Sequence, residues 1–271
     1  MKSWMKSIKS EFSGMYSEIG RLPVLTINPL FSAERSILIL GSEFGDRGFC
    51  AESLLDIARK FSGEYKPFYT KIALVPVIDT SGHPGKCEII SSTGFESPSY
   101  LLHGKPSKDI PTDVRDLLSF VRNEKYNIVL QATSIARENW PYCDGYFVVP
   151  SVYNVVSGEK SFLRMKEETK DIAGTILSAA KQHTPLQSMH TDGVVGDRYV
   201  LAREGMLLPA SVSDDFVEVK ARNILSLACL ENKVECITLV APSSKKADNT
   251  PSRRAHAAAL EAVIRLYEKN N

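Results

Sequence analysis

Three groups of residues have the types and spacing to do chemistry. The first follows an apolar run and reads Gly41-Ser42-Glu43-Phe44-Gly45-Asp46-Arg47-Gly48. Arg47, helped by the amides that open the next element, can face a carboxylate or a phosphate. Asp46 beside it allows the plainer reading of a surface ion pair. The loop has neither the GxxxxGK[ST] nor the GxGxxG pattern, so a nucleotide cradle has little support. Ser42 lacks the GxSxG surround of a serine nucleophile, and no histidine partner can be assigned to it. The second group is Asp79, His83 and Cys87, with His103 further along. A helix would gather the first three on one face, but Gly82, Pro84 and Gly85 break a helix. Asp79, His83 and His103 are the residues that could form a metal site here; ordinary loop residues are the commoner explanation. The third group is Arg253, Arg254 and His256 at the start of a C-terminal helix. Cations there oppose the helix dipole, a small cost that hints at an anionic contact, although solvated arginines are the commoner reading. His256 falls on the inner stripe, where a satisfied core imidazole is commoner than a base.

The elements that must position these residues alternate. Ile37-Leu38-Ile39-Leu40, Ile72-Ala73-Leu74-Val75-Pro76-Val77, Ile128-Val129-Leu130, Tyr146-Phe147-Val148-Val149 and Cys236-Ile237-Thr238-Leu239-Val240 are apolar runs of strand length. Runs without polar alternation predict strands covered on both faces. Between them lie amphipathic stretches at 51–62, 112–123 (Thr112 as cap), 163–181 and 221–231. The segment 197–219 reads as short strands and loop. The last helix carries Thr250 at its N-cap and Pro251 at the first helical position. Strand–helix alternation predicts a three-layer α/β/α sandwich with a mostly parallel mixed sheet. Sites in such folds lie beyond the carboxyl ends of the strands, here the loops 41–50, 78–106, 131–145 and 241–251. Trp140, Tyr142, Phe147 and Tyr153 concentrate near one of these ends, as pocket lining or as core. No linker divides the chain; the expected division is an N-terminal segment, 1–20, and a single domain, 21–271.

Lysine and arginine number 33 and aspartate and glutamate 32, a formal charge of +1. That balance leaves no electrostatic footprint for nucleic acid. No apolar run approaches the ~18–20 residues that span a bilayer. Cys50, Cys87, Cys143, Cys229 and Cys236 form no CxxC pair, and their odd number suits reduced thiols in the cytoplasm.

The order of the loops resembles a known family. Gly41-Ser42-Glu43-Phe44-Gly45-Asp46-Arg47 is similar to the Gly-x-x-His-Gly-Asp-Glu loop of zinc carboxypeptidases and of the succinylglutamate desuccinylase/aspartoacylase group. Pro76-Val77-Ile78-Asp79-Thr80-Ser81-Gly82 resembles its Pro-x-x-Asn-Pro-Asp-Gly. The strand from Ile128 to Ser134, with Asp144-Gly145-Tyr146-Phe147 after it, resembles the segment with the second zinc histidine. Thr238-Leu239-Val240-Ala241-Pro242 resembles the Thr-x-Glu-x-Pro segment. The match runs over about residues 20–270 and implies a carboxypeptidase-like domain.

The chemistry departs from the pattern. The first zinc histidine falls on Phe44, the zinc glutamate on Arg47, the second histidine near Ala132 or Thr133, and the catalytic glutamate on Val240. Phenylalanine cannot ligate a cation, arginine repels one, and valine cannot move a proton. The family's substrate-gripping arginines are missing, and Lys86, Lys105 and Lys108 are the cations available instead. The resemblance therefore implies a degenerate member with no catalytic residue and no zinc. Its expected cleft comprises Phe44, Asp46, Arg47, Asp79, Lys86, Thr133 and Val240. A peptide end or an anionic small molecule is the expected partner, with no nucleic acid and no membrane; the oligomeric state is open. Two alternatives stand: a metal-dependent peptidase or amidohydrolase with zinc relocated to Asp79, His83 and His103, and a structural assembly subunit.

Overall fold

The computed structural model describes residues 2–42, 49–63, 65–78, 112–136, 144–157, 160–188, 194–195, 199–209, 229, 232–244 and 248–269. Among these, the strands in chain order are β1 (Tyr16–Ile19), β2 (Leu22–Ile27), β3 (Arg35–Ser42), β4 (Thr70–Val77), β5 (Ile128–Ala136) and β6 (Phe147–Pro150). They continue with β7 (Tyr153–Ser157), β8 (Lys160–Arg164), β9 (Val194–Val195), β10 (Tyr199–Arg203), β11 (Met206–Pro209) and β12 (Glu235–Ser243). The helices are α1 (Lys2–Glu11), α2 (Phe49–Ser62), α3 (Thr112–Asn123), α4 (Glu167–Ala180) and α5 (Thr250–Lys269).

The strands form a 10-stranded sheet in the order β1-β2-β4-β3-β5-β12-β6-β11-β10-β9. Its centre, β4-β3-β5-β12, is parallel throughout. Antiparallel strands complete it: β2 on β4 at one side and β6 on β12 at the other. β7 and β8 make a separate hairpin. The apolar runs become the parallel centre because both faces are covered. Ile37, Ile39, Ile72, Leu74, Leu130 and Leu239 face one core, under α2, α4 and α5. Leu38, Leu40, Ala73, Val75 and Val129 face the other, with Leu117, Leu118 and Val121 of α3. This is the expected three-layer arrangement. The first twenty residues join it: Ile8 and Phe12 of α1 pack into the first core, and β1 pairs with β2.

Three helix boundaries differ from the sequence expectation. α4 starts at Glu167 rather than near 163, because residues 160–164 are taken by the ladder with β7. α3 includes Thr112 rather than being capped by it. α5 begins at Thr250, one residue early: the Arg253 amide donates to the Asn249 carbonyl at 3.0 Å, which puts Asn249 in the cap position. The Asn249 side chain does not cap; it exchanges two hydrogen bonds with the Ser244 backbone, each 3.1 Å. The Asp248 carboxylate takes the Thr250 amide instead, at 2.9 Å, and hydrogen bonds from the Thr250 hydroxyl and then its amide lower its pKa. Pro251 still lies in the first turn, where its missing N–H breaks no helical bond. Of the helix expected at 221–231, only Cys229 is among the described residues.

Candidate functional site

The parallel centre brings the carboxyl ends of β3, β4, β5 and β12 to one side of the molecule. Ser42 of β3 pairs with Val77 of β4, so the two chains that lead to Phe44 and to Asp79 leave the sheet side by side. Close contact helps: a Cβ on Gly41 would stand 2.2 Å from the Pro76 carbonyl oxygen. Phe44, Asp46, Arg47, Asp79 and Lys86 themselves lie outside the described residues, as do His83 and His103. Trp140 and Tyr142 do too.

Thr133 and Val240 are neighbours in the sheet. They are register partners on β5 and β12. Val240 in turn pairs with Phe147 of β6. Directly paired residues point to the same side of a sheet. Two-residue alternation from Val129 and Cys236 puts this row on the α3 side. All three side chains are buried. At the strand ends the row therefore runs Thr133, Val240, Phe147: one hydroxyl beside a β-branched and then an aromatic side chain. Buried Gln131 and Thr238 lie one pleat behind it on the same face.

The opposite face of Thr133 holds a network that the sequence did not reveal. His256 of α5 is fully buried, with Nε2 2.9 Å from the Thr133 carbonyl oxygen and Nδ1 3.1 Å from the Tyr146 hydroxyl. A carbonyl only accepts, so Nε2 carries the proton and the Tyr146 O–H donates to Nδ1. Phe49 stacks on the imidazole at 5.9 Å and Tyr146 meets it edge-on at 5.3 Å. Burial pushes the His256 pKa down to about 4, against the pull of the Thr133 carbonyl. Burial pushes the Tyr146 phenol well up. The imidazole is thus neutral, with both nitrogens engaged, and acts as a strut beneath β5. Gln187, equally buried, receives the Asp144 and Gly145 amides at 3.2 and 3.3 Å and ties down the entry to β6. A buried glutamine has to find partners, but only the fold names them.

The anionic contact expected for Arg253 is internal. Its guanidinium reaches both carboxylate oxygens of Asp56 on α2 at 2.7–2.9 Å, which docks α5 against α2. Among the described residues no three His, Cys, Asp or Glu side chains gather as a metal site needs. Thr133 and Val240 supply no imidazole or carboxylate, and His256 has no free lone pair. The described part of the strand-end region does not fit zinc.

No family profile matches the chain, and no curated protein does. Solved structures do. A candidate metallopeptidase from Shewanella amazonensis SB2B matches with a TM-score of 0.61 over 98% of this chain and 91% of its own, at 14% identity. A metallo-carboxypeptidase from Burkholderia cenocepacia matches at 0.62 over 100% of this chain and 70% of its own, at 11% identity. One from Pseudomonas aeruginosa, in complex with (2-guanidinoethylmercapto)succinic acid, matches at 0.62 with 8% identity, covering 100% and 70%. The chain has the metallocarboxypeptidase fold.

Proposed function

We propose that this carboxypeptidase-fold protein is a non-catalytic binding or regulatory protein that takes a peptide end or a related anionic small molecule at its strand ends. The observation that supports this reading is the pairing of Thr133 with Val240. On the motif alignment the second zinc histidine falls near Ala132 or Thr133 and the catalytic glutamate on Val240, and none of these residues is a useful zinc ligand or can move a proton. Arg47 and Lys86 are the proposed cationic groups for a carboxylate, and Phe44, Asp46 and Asp79 are the further candidate residues of the cleft. No resident cofactor is part of the proposal.

The test is metal analysis on chain purified without chelator, then calorimetry with short peptides bearing a free or an amidated C-terminus. The expected result is well below one zinc per chain, and binding that needs the free carboxylate and weakens in Arg47→Ala. One tightly held zinc per chain, or peptide hydrolysis lost in both His83→Ala and His103→Ala, refutes the reading in favour of a relocated metal site.

A further inference from the structure

Two cysteines that the candidate cleft does not use meet inside the second core. Cys229 and Cys236 are 0% and 1% exposed and belong to the cluster of Leu38, Leu40 and Val129. Both carry thiols and not a disulfide. The Cys229 thiol is hydrogen-bonded with that of Cys236. The two are seven positions apart in the chain, and a tight turn brings them back together. The Cys229 carbonyl accepts from the Asn232 amide at 3.1 Å and from the Val234 amide at 2.9 Å. Lys233 makes the reversal in the left-handed region, with φ 58°. Asn232 and Lys233 are exposed, so the turn is the solvent side of the pair.

Cys236 is the fixed partner. It stands opposite Val129 in the ladder of β5 and β12. Its amide donates to the Ser151 hydroxyl at 3.2 Å, and its carbonyl accepts from the Ser151 amide at 2.7 Å. Cys50, the other thiol among the described residues, lies on α2, which covers the opposite face of the sheet. Two cysteines can be bridged without backbone movement only where their side chains converge. Cys229 and Cys236 converge already, so rotation about χ1 is what remains.

We propose that Cys229 and Cys236 are a reversible redox site, which a low-molecular-weight disulfide oxidises to an intramolecular disulfide that clamps the turn onto β12. The Cys229 thiolate attacks one sulfur of the small disulfide, which forms a mixed disulfide and releases one small thiol. The Cys236 thiolate then attacks the Cys229 sulfur, which closes the bridge and releases the second small thiol. Two electrons pass to the small disulfide, and the two cysteine protons end on the two released thiols. In the closed fold the pair is quiet: the hydrogen bond with Cys236, and then burial, push the Cys229 thiol up. Exchange therefore starts when the exposed turn opens. That breaks the two hydrogen bonds to the Cys229 carbonyl and leaves the β5–β12 ladder intact. Once formed, the bridge holds covalently what those two hydrogen bonds held before.

The test is peptide mapping of the full chain equilibrated with reduced and oxidised glutathione at a series of ratios, quenched in acid, alkylated and digested. Trypsin cuts after Lys233 and separates the two cysteines into peptides 223–233 and 234–245, with one cysteine each. The expected result is a disulfide-linked pair of these peptides that grows with the oxidised fraction and disappears in excess reduced glutathione. In Cys236→Ala, Cys229 should stop at the mixed disulfide with glutathione. Cys229→Ala, in which peptide 234–245 should form no link to another peptide, replaces that variant if it fails to fold. The wild-type map decides by itself in either case. Both cysteines alkylated at every ratio, a bridge to Cys50 instead, or a link that forms only after urea is added overturns the proposal.

Discussion

Replacing His256 by glutamine tests the buried strut through its pH dependence. Glutamine keeps an amide that can donate to the Thr133 carbonyl, but it does not titrate. In the native chain the imidazole has a pKa of about 4; in the unfolded chain it returns to about 6.5. The folded value is the lower one, so the unfolded chain binds more protons between those two values. Stability from His256 is therefore present above about pH 6.5 and is lost as the pH falls toward 4. At about pH 5 the linkage amounts to roughly 2 kcal/mol, against almost nothing at about pH 7.5. At the higher pH, His256→Gln should destabilise by about 1–3 kcal/mol, because Tyr146 and Thr133 pair less well. At the lower pH the wild type has lost its 2 kcal/mol and the variant has not, so the gap closes. Urea unfolding at both pH values measures it. A gap that stays constant would refute the neutral, doubly engaged imidazole. So would an assigned His256 resonance that titrates near pH 6.5 in the folded protein.

Gly41→Ala should destabilise by about 2–3 kcal/mol in urea, since its Cβ would meet Pro76 backbone that cannot swing aside. A loss under about 0.5 kcal/mol would mean that β3 and β4 separate easily at the strand ends. Glu235→Gln should cost about 1–3 kcal/mol, because its carboxylate gathers Lys166 with the hydroxyls of Ser151 and Thr169. Restoring stability by adding Lys166→Met would support that account; no recovery would count against it. Arg253→Ala should cost about 0.5–1 kcal/mol and less at high salt, since its pair with Asp56 is partly exposed. A loss independent of salt would show that packing, not charge, docks α5 on α2.

The layers of this protein are written in short-range pattern. Continuous runs such as Ile37–Leu40 and Ile237–Val240 have no polar face, so they can fold only with both sides covered. The amphipathic stretches between them supply the covers. The loop motifs, read in order, pointed to the carboxypeptidase fold. Helix ends were less legible. Thr250-Pro251 has the local signature of a cap, yet Asn249 takes that position because Ser244 and Asp248 satisfy the neighbouring groups.

The candidate site depended on distance in the chain. Thr133 could be matched to Val240 only through a motif, and nothing local marked Phe147 as the third member of the row. Their meeting rests on ladder hydrogen bonds between strands about a hundred residues apart, whose register no local period encodes. The same holds for Arg253, whose anion proved to be Asp56, and for His256, whose partners come from β5 and from just before β6. Composition and periodicity determined which residues are buried and in which kind of element. Tertiary structure decided which of them touch, because side-chain chemistry is short-ranged and only the packed sheet brings distant segments within its reach.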